Sequence, residues 1–291
     1  MSRAKYFILD VFAEEKYQGN QLAVFTDING ISEPEMQQIA REVNFSETTF
    51  VLDNKASEKG FPVRIYTPME EVEFAGHPTL GTAWIIKNEI LKSQMTLIKL
   101  DLKVGTIPVS FKDNNILWMK QKEPKFGDIY SAKLLSEILK IKASDIDDDF
   151  PIQVVSTGLP AIIVPLKTLK SIKQIKINKE KYFNFLSKVE PKVILTFCPE
   201  TYHPENQLNV RVFVEYFGIP EDPATGSGNG CLAGYLVKHR YFKKDSIDIT
   251  CEQGYEIQRH SKLYLKAALN NNSIDVEVGG KIQLVASGTW I

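Results

Sequence analysis

The sequence predicts an α+β fold, and three observations carry that prediction. Long β-branched and aromatic runs surround each helix-like segment, without the strict strand–helix alternation of a parallel α/β protein. A stretch rich in Pro, Gly and charge, "QKEPKFGDIYSA" at 121–132, interrupts this pattern near mid-chain and reads as a boundary between two lobes. Each side of it holds one glycine-rich turn that runs into an apolar helix, "AGHPTLGTA" from Ala75 and "ATGSGNGCLA" from Ala224. Such a match between small-residue segments fits an internal duplication and fits coincidence as well; a fixed-period repeat array is excluded.

Taken in order, "AKYFILDVF" reads as a buried strand closed by the polar turn "AEEKYQGNQ". "ISEPEMQQIAREVNF" reads as a helix, with Ser32 and Glu35 at capping-box spacing, Pro34 in the first turn and Met36, Ile39, Ala40 and Val43 on one face. Strands follow at "TTFVL" and "FPVRIYTP", then "MTLIKLDLKVGTIPVSF" and "NILWMKQ", with hairpin turns expected at Gly105 and at "DNN". Beyond the boundary come a helix "SAKLLSEILKI", a hairpin "IQVVSTGLPAIIVPL" bent at Gly158 and Pro160, and a helix "NKEKYFNFLSKV" capped by Asn178. Strands "KVILTF" and "LNVRVFV" precede the second glycine turn, and short strands near 246–251, 255–266, 273–278 and 281–286 close the chain.

Composition narrows the function classes. Among 291 residues, 35 basic side chains balance 36 acidic ones, so no basic excess points to nucleic acid. The longest apolar runs, such as "PAIIVPL", fall far short of the roughly 20 residues a membrane helix needs. The first residues lack the apolar core of a signal peptide, so a cytoplasmic address is expected. Cys198, Cys231 and Cys251 are odd in number and far apart, which argues against a disulfide framework or a structural zinc and for buried thiols.

The glycine turns can bring backbone amides close to an anion at a helix N-terminus, or can serve only tight turns and close packing. Neither fits a dinucleotide or P-loop motif, which leaves nucleotide binding without support. His77 precedes Pro78 in the first helical turn, where the positive end of the helix favours a neutral imidazole. Asp222 precedes Pro223 before the second helix and reads by default as an N-cap. Glu47 stands where a strand begins; alternation aims it either at solvent or at a cleft, and beside Phe45 and Phe50 a partly dehydrated carboxylate suits proton transfer.

Together, "DVFAEEKYQGNQLAVF", "IAREVNFSETTFV", "RIYTPMEEVEFAGHPTLGTAW", "STGLPAIIV", "VRVFVEYFGIPEDPATGSGNGCLAGYL" and "EQGYEIQRHSKL" resemble the phenazine-biosynthesis isomerases, the PhzF-like family, from about residue 6 to 265. The resemblance implies a diaminopimelate-epimerase-like fold of two pseudo-equivalent lobes, each a curled sheet around a central helix, with the active site in the cleft between them. By this resemblance the lobes span 1–122 with 281–291, and 123–280, the last strand returning to the first lobe's sheet. "SET" carries the family's catalytic glutamate onto Glu47, "AGHP" its histidine onto His77 and "EDPATGS" its aspartate onto Asp222. Ser46, Gly76, Gly226 and Ser227 would line the substrate cleft, with Asn20 and Arg259 near it. The implied chemistry uses no cofactor or metal: in the family's model reaction a glutamate moves a proton within 2,3-dihydro-3-hydroxyanthranilate. The related amino-acid epimerases place a cysteine in each turn, where this chain has Ala75 and Thr225, so a two-thiol racemase is not expected. A small carboxylate-bearing substrate and a homodimer are further expectations from the family, with no nucleic-acid or membrane partner. The competing reading is a non-catalytic metabolite- or partner-binding protein on the same scaffold.

Overall fold

A computed structural model describes residues 4–112 and 115–291, so Asp113 and Asn114 of the expected "DNN" turn lie outside the described residues. The chain divides into two compact units, one running to Lys120 and taking in Gly279–Ile291, the other Gln121–Val278.

In the first unit, β1 (Ala4–Val11) forms an antiparallel hairpin with β2 (Asn20–Thr26), and β2 lies parallel to β3 (Glu47–Val51) after helix α1 (Glu33–Val43). β3 pairs with β4 (Phe61–Tyr66), whose other contacts are the two-residue β5 (Glu71–Val72) and the parallel β6 (Leu97–Leu102). β7 (Gly105–Phe111) and β8 (Leu117–Lys120) extend the sheet at one end, and the last strand of the chain, β18 (Ile282–Trp290), pairs antiparallel with β1 at the other. Helix α2 (Gly76–Ile85) rests on β1, β2, β3, β6, β7 and β8. Nine of its ten residues are buried, so it is enclosed on all sides as a central helix must be. Its Gly81 is needed there: a Cβ would stand 2.5 Å from the Leu22 side chain and 3.1 Å from Val11. On the opposite face of the sheet α1 buries Met36, Ile39 and Ala40 against Ala23, Phe25, Phe50 and Tyr66. Ser32 occupies the N-cap position of α1, but its side chain makes no capping bond, so the capping box read from Ser32 and Glu35 does not form. Pro34 fills the first turn regardless.

The second unit repeats this plan. β9 (Lys125–Tyr130) flanks the hairpin of β10 (Ile152–Ser156) and β11 (Pro160–Pro165) as β18 flanks β1 and β2. Parallel to β11 lies β12 (Val193–Cys198), followed by β13 (Leu208–Val214), which pairs with β14 (Ile219–Asp222) and, in parallel, with β15 (Ser246–Gln253). β16 (Ser261–Asn270) continues antiparallel to β15, and β17 is Ser273–Gly280. Helix α6 (Gly226–Lys238) takes the place of α2 and rests on β10, β11, β15 and β16. On the outer face α3 (Ala132–Leu139), α4 (Leu169–Gln174) and α5 (Lys179–Leu186) bury Leu135, Ile138, Ile172 and Tyr182 against β10–β13. As expected, Asn178 caps α5, its side chain accepting from the Lys181 amide at 3.3 Å. The stretch read as an interruption at 121–132 contains strand β9, which is mostly exposed and so lacks an apolar alternation.

Pairing registers fix which positions correspond. Phe61↔Leu100 in the first unit answers Leu208↔Cys251 in the second, and Tyr66↔Thr48 answers Phe213↔Ile194. Helix starts then align Ala75 with Thr225, one residue away from the alanine match visible in the sequence. Glu47 corresponds to Val193, Val72 to Asp222, and Leu102 to Gln253. An arginine–glutamate pair recurs at the β4–β5 and β13–β14 turns. Arg64 grips both carboxylate oxygens of Glu71, and Arg211 grips both of Glu221 at 2.9 and 2.7 Å. Burial pushes the Glu71 carboxyl up, but hydrogen bonds from Arg64 and Lys103 outweigh it and hold the group below its ordinary value.

Candidate active site

Glu47 opens β3, in register with Leu22 of β2. Side chains alternate along a strand, so residues 47 and 49 share a face. Thr49 Oγ1 lies 2.8 Å from Thr82 Oγ1 of α2, both fully buried, and this identifies the Glu47 face as the one turned to α2. Phe50 projects the other way into the α1 core, and Phe45 packs against that same cluster. The two phenylalanines expected to dehydrate Glu47 therefore sit on the wrong side of the sheet. Its shielding comes instead from the start of α2: the side chain is 20% exposed, and Oε2 stands 3.5 Å from His77 Nε2.

His77 is the second residue of α2 and is 5% exposed. Burial pushes its imidazole down to about 3, while a hydrogen bond to the Gln21 backbone pulls the other way. The expected neutral ring is found, with burial as its main cause. Distance alone would pass His77 and Glu47 for an ion pair, but a ring neutral above about pH 3 carries no charge to pair. Nε2 is buried and makes no hydrogen bond, which assigns the Gln21 contact to Nδ1. A neutral imidazole has one N–H. Donated from Nδ1 to the Gln21 carbonyl, it leaves the Nε2 lone pair facing a carboxylate oxygen. That lone pair is placed to accept from a donor on a ligand.

Other residues singled out in the sequence surround this helix start. Asn20 opens β2 beside Gln21 and is 2% exposed; Ser46 immediately precedes Glu47, and Gly76 is the first residue of α2.

The second unit gathers Asp222, Gly226, Ser227 and Arg259 at the start of α6. Asp222 ends β14, opposite Val212. It is not the N-cap read from the sequence: that position belongs to Thr225, whose hydroxyl lies 2.5 Å from Asp222 Oδ2. Gly226 and Ser227 are the first two helical residues. Arg259 follows the 255–257 turn, and its amide donates to the Gly254 carbonyl at 2.9 Å. Gly254 has φ 78, and a Cβ there would fall 2.4 Å from the Arg259 oxygen and 2.6 Å from that of Pro223, so the turn packs directly behind Asp222.

Sequence reasoning missed one member of this cluster. Gln253, fully buried at the end of β15, donates to the Asp222 carbonyl (2.8 Å) and faces Thr225 Oγ1 (3.1 Å). Its oxygen accepts from the Thr225 amide at 3.3 Å and from Asn229 Nδ2 at 2.8 Å. No local pattern marks a glutamine 28 residues from its partner.

Among the described residues, no group of three or more His, Cys, Asp and Glu side chains is arranged to hold a metal ion. All three cysteines are free and buried, and burial pushes each thiol up, which disfavours the reactive thiolate.

A duplicated α+β scaffold, each half wrapping its sheet around a helix whose first turn carries polar side chains, is the architecture of the diaminopimelate-epimerase-like proteins. A hydroxyproline epimerase from Agrobacterium vitis shares the fold at TM-score 0.66 and 9% identity, over 100% of this chain and 91% of that one. Residues 9–288 match the model of the phenazine biosynthesis-like protein family, PhzC-PhzF. The chain belongs to this family and is an isomerase. It is 32% identical over 289 residues to the trans-2,3-dihydro-3-hydroxyanthranilate isomerase of Pseudomonas aeruginosa, covering 98% of each chain. A crystal structure of a PhzF-family protein from Bacillus anthracis matches the full length of both chains at TM-score 0.91 and 28% identity. No helix among the described residues is long and apolar enough to cross a membrane.

Proposed function

We propose that the chain catalyses a cofactor-independent isomerisation in which Glu47 takes a proton from one carbon of a small carboxylate-bearing substrate and returns it to another. His77 and Asp222 hold polar groups of that substrate and stabilise the charge that develops as the proton leaves. Ser46, Gly76, Gly226 and Ser227 offer backbone and hydroxyl donors for its carboxylate. The observation that carries this reading is the facing of Glu47 Oε2 and the bare Nε2 of neutral His77 at 3.5 Å, with the two side chains only 20% and 6% exposed. A shuttle needs one group that is base in the first half-reaction and acid in the second, shielded so that it keeps its proton between them. The Pseudomonas aeruginosa relative makes trans-2,3-dihydro-3-hydroxyanthranilate the first substrate to try.

Proton NMR in heavy water, with that compound and then a panel of small amino and hydroxy acids, tests the proposal. Wild-type protein is expected to isomerise a substrate or exchange its proton for deuterium, and Glu47→Gln to do neither. A ligand that binds wild type and Glu47→Gln equally, without rearrangement or exchange in either, would replace the enzyme by a binding protein.

A further inference from the structure

The cluster at the start of α6 has a direction that its donors dictate. A backbone N–H only donates, so the Thr225 amide fixes the Gln253 oxygen at its own position and turns the Gln253 NH₂ toward Thr225 Oγ1 and the Asp222 carbonyl. Asn229 Nδ2, held by the Thr225 carbonyl at 3.0 Å, confirms that orientation by donating to the same oxygen. Thr225 Oγ1 accepts from Gln253 and must spend its single proton on Asp222 Oδ2. The first unit builds the same helix start without this chain of bonds: Val72, Ala75 and Leu102 occupy the positions of Asp222, Thr225 and Gln253. The fold does not require it.

We infer that Gln253 is a positioning residue that acts through the Thr225 hydroxyl to hold the Asp222 carboxylate in one orientation for the substrate. The inference rests on the role of Asp222 proposed above. Gln253 itself touches no reacting atom, and its effect is to leave Thr225 no other use for its proton.

The test uses full-length protein with Thr225→Val, Thr225→Ser, Gln253→Glu and Gln253→Leu. Thr225→Val is expected to lower kcat about tenfold, the worth of one charge-assisted hydrogen bond, with KM changed less than about twofold. Thr225→Ser restores the hydroxyl and is expected to restore kcat. Gln253→Glu separates positioning from capping. The new carboxylate still accepts from the Thr225 amide and from Asn229, so a cap survives, yet it draws the Thr225 proton away from Asp222 and is expected to lower kcat as Thr225→Val does. In an Asp222→Asn background, Thr225→Val is expected to add no further loss. Crystal structures read the relay independently of turnover: the Asp222 carboxylate should leave its present orientation in Thr225→Val and Gln253→Glu and keep it in Thr225→Ser. Retained kcat and an unmoved carboxylate in Thr225→Val, with only a lower melting temperature in Gln253→Leu, would reduce Gln253 to a helix cap and overturn the inference. Wild-type protein inactive on every substrate would sink the proposed function, while the crystal structures would still decide the relay. Should Gln253→Leu or Gln253→Glu not fold, the Thr225 pair decides it alone.

Discussion

The starts of α2 and α6 are the same piece of architecture used in opposite ways. Both follow a short strand clamped by an arginine–glutamate pair, and in both the residue four positions beyond the N-cap reaches back to the N-cap carbonyl, Thr79 to Ala75 at 2.7 Å and Asn229 to Thr225 at 3.0 Å. Beside the start of α2 one buried nitrogen, Nε2 of the neutral His77 imidazole, makes no hydrogen bond and faces Glu47 at 3.5 Å. Around α6 a chain of side-chain bonds runs from Asn229 Nδ2 through Gln253 and Thr225 to Asp222, with Asn229 Oδ1 left without a partner. Correspondence runs in reverse as well, since Val193 stands where Glu47 does and Ser227 where His77 does. On the proposed mechanism the first helix start serves proton transfer, and the second holds a carboxylate in place. The two ends therefore differ in how their side chains are bonded more than in how they fold.

Exchanging residues between equivalent positions is the sharpest way to break the comparison. Glu47→Val places the second unit's residue in the first and removes the proposed shuttle. Activity is expected to fall by about 10² to 10⁴, the usual worth of a general acid–base group, with the urea midpoint nearly unchanged. A loss of folding instead would mean that Glu47 holds the sheet together. The clamps come next in size. Arg211 and Glu221 are 8% and 7% exposed, and Arg211 also donates to the Ile172 carbonyl at 2.9 Å. Arg211→Met leaves a buried carboxylate uncompensated and is expected to cost about 3 kcal/mol or more in urea unfolding. Arg64→Met is expected to cost less, because Glu71 keeps Lys103 as a partner. Equal losses would show that burial, not the spare partner, sets the worth of each clamp.

Much of this was legible from local sequence and the rest only from the fold. The turns "AGHP" and "EDPATGS" announce themselves, since glycine, proline and an ionisable side chain next to an apolar helix have few other uses. Helices α1, α3 and α5 show an apolar face with a stop or start signal, and they form as read. Strand β2, "NQLAVFT", escaped notice because it is buried on both faces and shows no alternation, and the six-residue helix α4 is too short to show a period. Strand β9 escaped because it is exposed on most of its length. At the site, Glu47 is read as a candidate, but its shielding neighbours are misread: Phe50 is three residues along an alternating strand and points the opposite way. Gln253 was invisible because its meaning lies in atoms of residues 222, 225 and 229, brought to it by the pairing of β13 with β15.

Two smaller effects separate the helix starts by chemistry alone. Leu102→Gln copies the second unit's glutamine into the first, where Ala75 offers no hydroxyl and Val72 no carboxylate. A buried amide lacking those partners is expected to cost about 1–3 kcal/mol, read from the urea midpoint; a neutral result would mean that backbone groups satisfy it and that the side-chain relay adds little. The smallest effect belongs to His77, and its sign follows from linkage. The imidazole titrates near 6.5 when unfolded and at about 3 when folded, because burial disfavours its charge. Between those values the unfolded chain binds one more proton than the native one, so this group's stability is full above about pH 6.5 and is lost as pH falls toward 3. At pH 5.5 the loss attributable to His77 is about 1 kcal/mol, against almost nothing at pH 7. His77→Gln removes the titration but can keep a donor for Gln21, so its unfolding free energy should fall less steeply than that of wild type over this window. Parallel pH profiles for the two proteins would mean that the ring is reached by water and charges freely, and the contrast between a bare buried nitrogen at one helix start and a bonded side-chain chain at the other would lose its first term.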